Sequence, residues 1–126
     1  MAKIIIATRN SKKLSEIEVF MKDSKLEFCS QLDFDLKSCD EPYDTFIENA
    51  LAKARYASKN TGLPAIADDS GICVDILKGK PGVHSARFAG KSSTDEKNIK
   101  KLLKVLNDKI NRKAHFHCSI VFIRNH

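Results

Sequence analysis

Tryptophan is absent from the 126 residues, and only nine side chains are aromatic, seven Phe and two Tyr. Proteins that hold single-stranded nucleic acid stack bases on aromatic platforms set among basic residues. No aromatic-rich strand here alternates with Lys or Arg. A basic nucleic-acid-binding module is therefore the weaker reading, despite a net charge of +6. No stretch approaches the ~18 apolar residues that a bilayer crossing needs, so no membrane role is expected. Met1 to Ile6 enters a strand-like pattern at once, and its apolar part is too short for a signal peptide. Cytoplasmic location is the resulting expectation. The C-x-x-C pair is missing too. Cys29, Cys39, Cys73 and Cys118 are scattered, which argues against both a zinc site and a disulfide framework. Internal repeats, low-complexity tracts and linkers are also lacking, and the length suits one domain.

What is present is the composition of a globular chain, 42% hydrophobic and 30% charged. The excess of Lys and Arg favours an anionic partner, nucleic acid or a small phosphorylated ligand. Lys3 to Ala7 reads as a buried strand. From Lys12 the residues Leu14, Ile17, Phe20 and Met21 fall on one helical face. Leu26 to Ser30 reads as a strand, and Gln31 to Asp44 as an acidic loop. Thr45 and Glu48 form a capping box that opens a helix to about Lys59, closed by Asn60 and Gly62. Ala65 to Ala67 is a short strand, Ile72 to Leu77 another, and Lys78 to Gly82 a turn. Ser93 to Glu96 is a second capping box, before a helix with Ile99, Leu102, Leu103 and Leu106 on one face. His115 to Ile123 alternates as a strand, with Phe116, Cys118, Ile120 and Phe122 on one side. The order β-α-β-α-β-β-α-β implies an α/β fold, a mixed sheet flanked by helices.

Three places carry chemistry. Asp68 and Asp69 follow the apolar Pro64-Ala65-Ile66-Ala67 and precede Ser70-Gly71. Acids at the mouth of a sheet lie where α/β proteins bind ligands. Two carboxylates suit Mg²⁺, although Asp, Ser and Gly are equally the residues of an ordinary turn. The segment Thr8-Arg9-Asn10-Ser11-Lys12-Lys13 joins a strand to a helix N-terminus, where free N–H groups and the helix dipole favour an anion. It is not a P-loop, since G-x-x-x-x-G-K-[ST] is absent. Lys53 shares a helix face with Asn49 and could reach a phosphate, or could be a solvated surface lysine. Asp40 or Glu41 could lend a carboxylate to the metal of Asp69. His115 and His117 are two apart on a strand, but a zinc site needs further ligands that the sequence does not place.

Thr8-x-Asn10-x-x-Lys13, Thr45-Phe46-Ile47-Glu48-Asn49-Ala50 and Ala67-Asp68-Asp69-Ser70-Gly71 together resemble the inosine/xanthosine triphosphate pyrophosphatase family. Pro81 to Phe88 and Phe116-His117-Cys118 extend the similarity through nearly the whole chain. The resemblance implies an elongated, two-lobed α/β fold and a Mg²⁺-dependent homodimeric enzyme. Such enzymes cleave ITP, dITP and XTP to the monophosphate and pyrophosphate, removing deaminated purines from the nucleotide pool. It further implies that Thr8, Arg9, Asn10, Ser11, Lys12 and Lys13 bind the triphosphate, that Lys53 faces a phosphate and that Ser70 contacts substrate. Asp69 is implied as proton acceptor and metal ligand, with Glu41 as the second metal-site acid. The similarity covers the N-terminal two-thirds of such an enzyme. The expectation is thus a truncated pyrophosphatase domain over 1–126, with the base-reading part missing. It would be weakly active or inactive alone, or completed by a complementing C-terminal polypeptide. A non-catalytic fragment that pairs through its final strand is the other reading.

Overall fold

The computed structural model describes residues 3–125. Its fold is α/β, a mixed sheet flanked by helices. Strands β1 (Lys3–Ile6), β2 (Glu27–Ser30), β3 (Ala65–Val74), β4 (Lys80–Pro81) and β5 (Ala114–Ile123) alternate with helices α1 (Ser11–Phe20), α2 (Phe46–Thr61) and α3 (Asp95–Val105). The sheet order is β2-β1-β3-β4, and β5 also pairs with β3. β1 is parallel to both β2 and β3, whereas β3 and β4 are antiparallel. Two compact units are distinguished, Met1–Asp69 with Ser119–His126, and Ser70–Cys118. Among the described residues no helix is long and apolar enough to cross a membrane.

In the first unit β1 is central, and its Ile4, Ile5 and Ile6 are all buried. A parallel strand covered on both faces has no solvent side, so its sequence is uniformly apolar. Ile5 aligns with Cys29 on one side and Ala65 on the other. α2 opens at Thr45, whose side chain accepts the Glu48 N–H, and closes at Gly62 in the left-handed conformation at φ +74°. Its buried stripe is Asn49, Ala50, Ala54, Ala57 and Ser58. Such small side chains let the helix approach closely, and Ala54 and Ala57 form the core with Ile5, Ala7, Ala65 and Ala67. α1 differs: none of its residues is buried, and Phe20, expected on its inner face, is 87% exposed.

The acidic pair corrects one expectation. β3 does not stop at Ala67 and turn; it runs unbroken through Asp68, Asp69, Ser70 and Gly71 to Val74. From Ala65 to Cys73 buried and half-buried residues alternate, the period-two signature of an extended strand. Gly71 has a packing reason that its turn propensity conceals. A Cβ there would run into the Gly82 carbonyl oxygen and the Ser85 hydroxyl, both within the second unit. Ser85 Oγ then receives the Ile72 N–H at 3.0 Å. In the same unit α3 is capped by Thr94 rather than Ser93, Thr94 Oγ1 accepting the Lys97 N–H. Asp75 to Leu77, expected in a strand, form a 3₁₀ turn instead.

Candidate active site

Alternation along β3 sends Asp68 and Asp69 to opposite faces of the strand. The two carboxylates therefore do not act as one adjacent pair; each meets its own lysine-bearing surroundings in the first unit.

On one face Lys13 Nζ donates to Asp68 Oδ2 at 2.9 Å. Lys13 lies in the first turn of α1, where a basic residue opposes the helix dipole. Two cap contacts steady that turn. Asn10 Oδ1 accepts the N–H groups of Lys12 and Lys13 at 2.9 and 3.3 Å, and Thr8 Oγ1 accepts the Asn10 N–H at 3.1 Å. Asn10 is thus the N-cap, and two of the N–H groups expected to face an anion are bound to it. Arg9 turns to the neighbouring loop, its Nη1 donating to Ser38 Oγ at 3.2 Å and to Leu36 O at 3.5 Å. Ser11 and Lys12 are exposed. Beside this turn lies an apolar cavity of about 370 Å³, edged by Thr8 and Asp68 and walled by Ile6, Ile17, Ile66 and Ile120.

On the other face Asp69 is 8% exposed, and its Oδ2 is buried without a hydrogen-bond partner. Burial raises its carboxyl above the ordinary value of 3.8. Lys53 pulls it back down, Glu41 pushes it up, and the Asn49 amide and Lys13 lower it. Glu41 Oε1 receives Lys53 Nζ at 3.1 Å, with both side chains largely covered. Lys53, Glu41 and Asp69 are therefore one electrostatic group. Ser70, the first residue of the second unit, is half-buried.

A buried, unpartnered carboxylate oxygen is costly. It is what a hard cation removes on binding. Mg²⁺ takes oxygen ligands, commonly one or two carboxylates with waters and substrate phosphates, and the donor set of Glu41 and Asp69 fits that habit. Among the described residues no group of three or more His, Cys, Asp and Glu is arranged to hold an ion. His115 and His117 accordingly gain no third ligand there. Two participants had no role assigned from sequence: Asp68 as the partner of Lys13, and Asn49 beside Asp69. The spacing of Asn49 and Lys53 by one helical turn was the available signal.

Comparison with known proteins agrees with the early motifs. The Ham1 family model matches residues 4–126. A dITP/XTP pyrophosphatase of Nitrosomonas europaea is 50% identical over 125 residues, covering 99% of this chain and 62% of the relative. The one from Escherichia coli K12 is 46% identical over 127 residues, covering 99% and 64%. A solved HAM1 protein from Coxiella burnetii superposes with a TM-score of 0.91 at 44% identity, covering 99% of this chain and 64% of that one. The Staphylococcus aureus Ham1 protein gives 0.84 at 36% identity, covering 97% and 63%. The chain spans a little under two thirds of the length of these relatives.

Proposed function

The chain belongs to the Ham1 family, and from that premise we propose that it carries the triphosphate- and metal-binding half of a non-standard purine nucleoside triphosphate pyrophosphatase. The reaction is hydrolysis of dITP, XTP or ITP to the monophosphate and pyrophosphate. The observation that carries this reading is the buried, unpartnered Asp69 Oδ2, set among Glu41, Lys53 and Lys13. Glu41 and Asp69 are the residues that would hold Mg²⁺, which when bound supplies neutralising charge and a more acidic water.

The chain's own residues do the rest. Lys13 and Lys53 are both engaged by carboxylates. A triphosphate offers each a competing oxyanion, so substrate binding exchanges partners instead of creating bare charges. Lys12 adds a solvated cation at the mouth of the turn. The Thr8 hydroxyl accepts from Asn10 and still has its own proton to donate. Attack on a phosphoryl centre depends on an oriented water and on charge neutralisation. A desolvated carboxylate is the stronger base, and Asp69 takes the proton of that water. Base selection is assigned to the third of the relatives' length that this chain does not span. The working assembly is a homodimer.

Calorimetry with Mg²⁺ tests this on the chain itself. Inorganic tripolyphosphate and dITP should bind with affinities within about tenfold of each other, since the tail carries the contacts. Asp69→Asn should abolish the Mg²⁺ dependence and cut any pyrophosphate release by about 10²–10⁴-fold. Failure of both ligands to bind, with or without Mg²⁺, would refute the assignment.

A further inference from the structure

Asn49 is fully buried in the first turn of α2. Its Oδ1 accepts the Tyr43 N–H at 3.1 Å, and its Nδ2 donates to the Tyr43 carbonyl at 3.0 Å. A carboxamide presents a donor and an acceptor side by side, so it can pair with both polar groups of one backbone residue. Asp would lose the donor, and an apolar residue would leave two buried backbone groups unpaired. Tyr43 is two residues beyond Glu41. The clamp therefore fixes the acidic loop on α2, where Lys53, one turn after Asn49, donates to the Glu41 carboxylate. A second tie lies nearby, with Cys39 Sγ 3.7 Å from the Ala52 carbonyl. The same Asn49 amide interacts with Asp69 on β3.

We propose that Asn49 is a positioning residue, which through its two bonds to Tyr43 and its place beside Asp69 sets the separation of the Glu41 and Asp69 carboxylates before any ion or phosphate arrives. The inference rests on the reading of those two acids as the metal site. Losing the clamp frees the loop, and Glu41 then has to be ordered at the expense of ion binding.

The test uses Mn²⁺ as a paramagnetic probe, together with amide hydrogen exchange in the metal-free protein. Asn49→Ala is expected to speed exchange of the Tyr43 amide at least tenfold and to weaken Mn²⁺ binding at least tenfold. Gly62→Ala at the far end of α2, a backbone strain unrelated to the acids, should lower the melting temperature without changing Mn²⁺ affinity. Should Asn49→Ala not fold, Asn49→Ser, which adds no carboxylate to the site, is judged by the same two readings. A folded Asn49 variant with wild-type Mn²⁺ affinity, or an equal loss in Gly62→Ala, overturns the proposal. Glu41→Gln and Asp69→Asn locate the fault. If they lose Mn²⁺ while the Asn49 variant keeps it, only the positioning role fails. If they bind Mn²⁺ as the wild type does, the metal-site reading fails and the positioning role falls with it.

Discussion

Asp69 is where stability and the proposed chemistry oppose each other. Its folded-state carboxyl titrates above the ordinary value, chiefly because of burial. Folding therefore prefers the protonated acid. That preference stabilises the fold fully below the unfolded-state value and is lost as pH rises through the higher folded-state value. In metal-free protein, Asp69→Asn should flatten this part of the stability–pH curve. It should also raise stability at pH 7 by on the order of 1 kcal/mol, measured by urea denaturation, while removing the proposed Mg²⁺ dependence of tripolyphosphate binding. A loss of stability at pH 7 would count against the buried charge as a cost. Lys13→Ala should weaken tripolyphosphate binding at least tenfold, and Asp68→Asn should do so less, because it removes a competitor along with a positioner. The lysines and Asp69 were legible as types at motif spacings. The division of labour between Asp68 and Asp69 was not, because it depends on which side of an extended chain each residue faces.

At the level of elements, the helices were readable and the strand through the acidic pair was not. Thr45, Glu48 and Gly62 are local signals acting within a turn of the helix ends they mark, and α2 lies within two residues of its expected bounds. Thr45→Ala should cost about 1 kcal/mol through its lost cap bond. Asp68 to Gly71 carry turn chemistry, yet they stay extended within β3, which pairs with β1 at Ala65 and Ile66 and with β4 at Cys73 and Val74. Gly71 serves close packing, not a turn, so Gly71→Ala should destabilise by about 1–3 kcal/mol. The obstacle is the Gly82 backbone carbonyl, which no rotamer change can relieve. Thermal melts monitored by circular dichroism would show it, and a neutral Gly71→Ala would mean that Gly82 and Ser85 stand farther off. The α1 pattern misled differently. Its helical spacing is real, but Phe20 finds no core on the inside.

For the molecule as a whole, the first unit leaves Phe20 and Ile120 open to solvent at the cavity walled by Ile17 and Ile66, and Phe122 is exposed as well. Apolar surface of this kind favours association. Sedimentation velocity should show the mean mass rising with concentration, and Phe122→Lys or Ile120→Lys should reduce that rise. The +6 charge should also make tripolyphosphate binding fall with added salt. The period of two along β3 has a genetic consequence. Inserting a single codon between those for Pro64 and Asp68 would bring Asp68 to the place beside Asn49 and carry Asp69 past it, whereas deleting one would bring Asp69 to Lys13 and leave Ser70 beside Asn49. Mutational scanning of the gene should therefore find that stretch forgiving of conservative replacement and closed to any change of length by one.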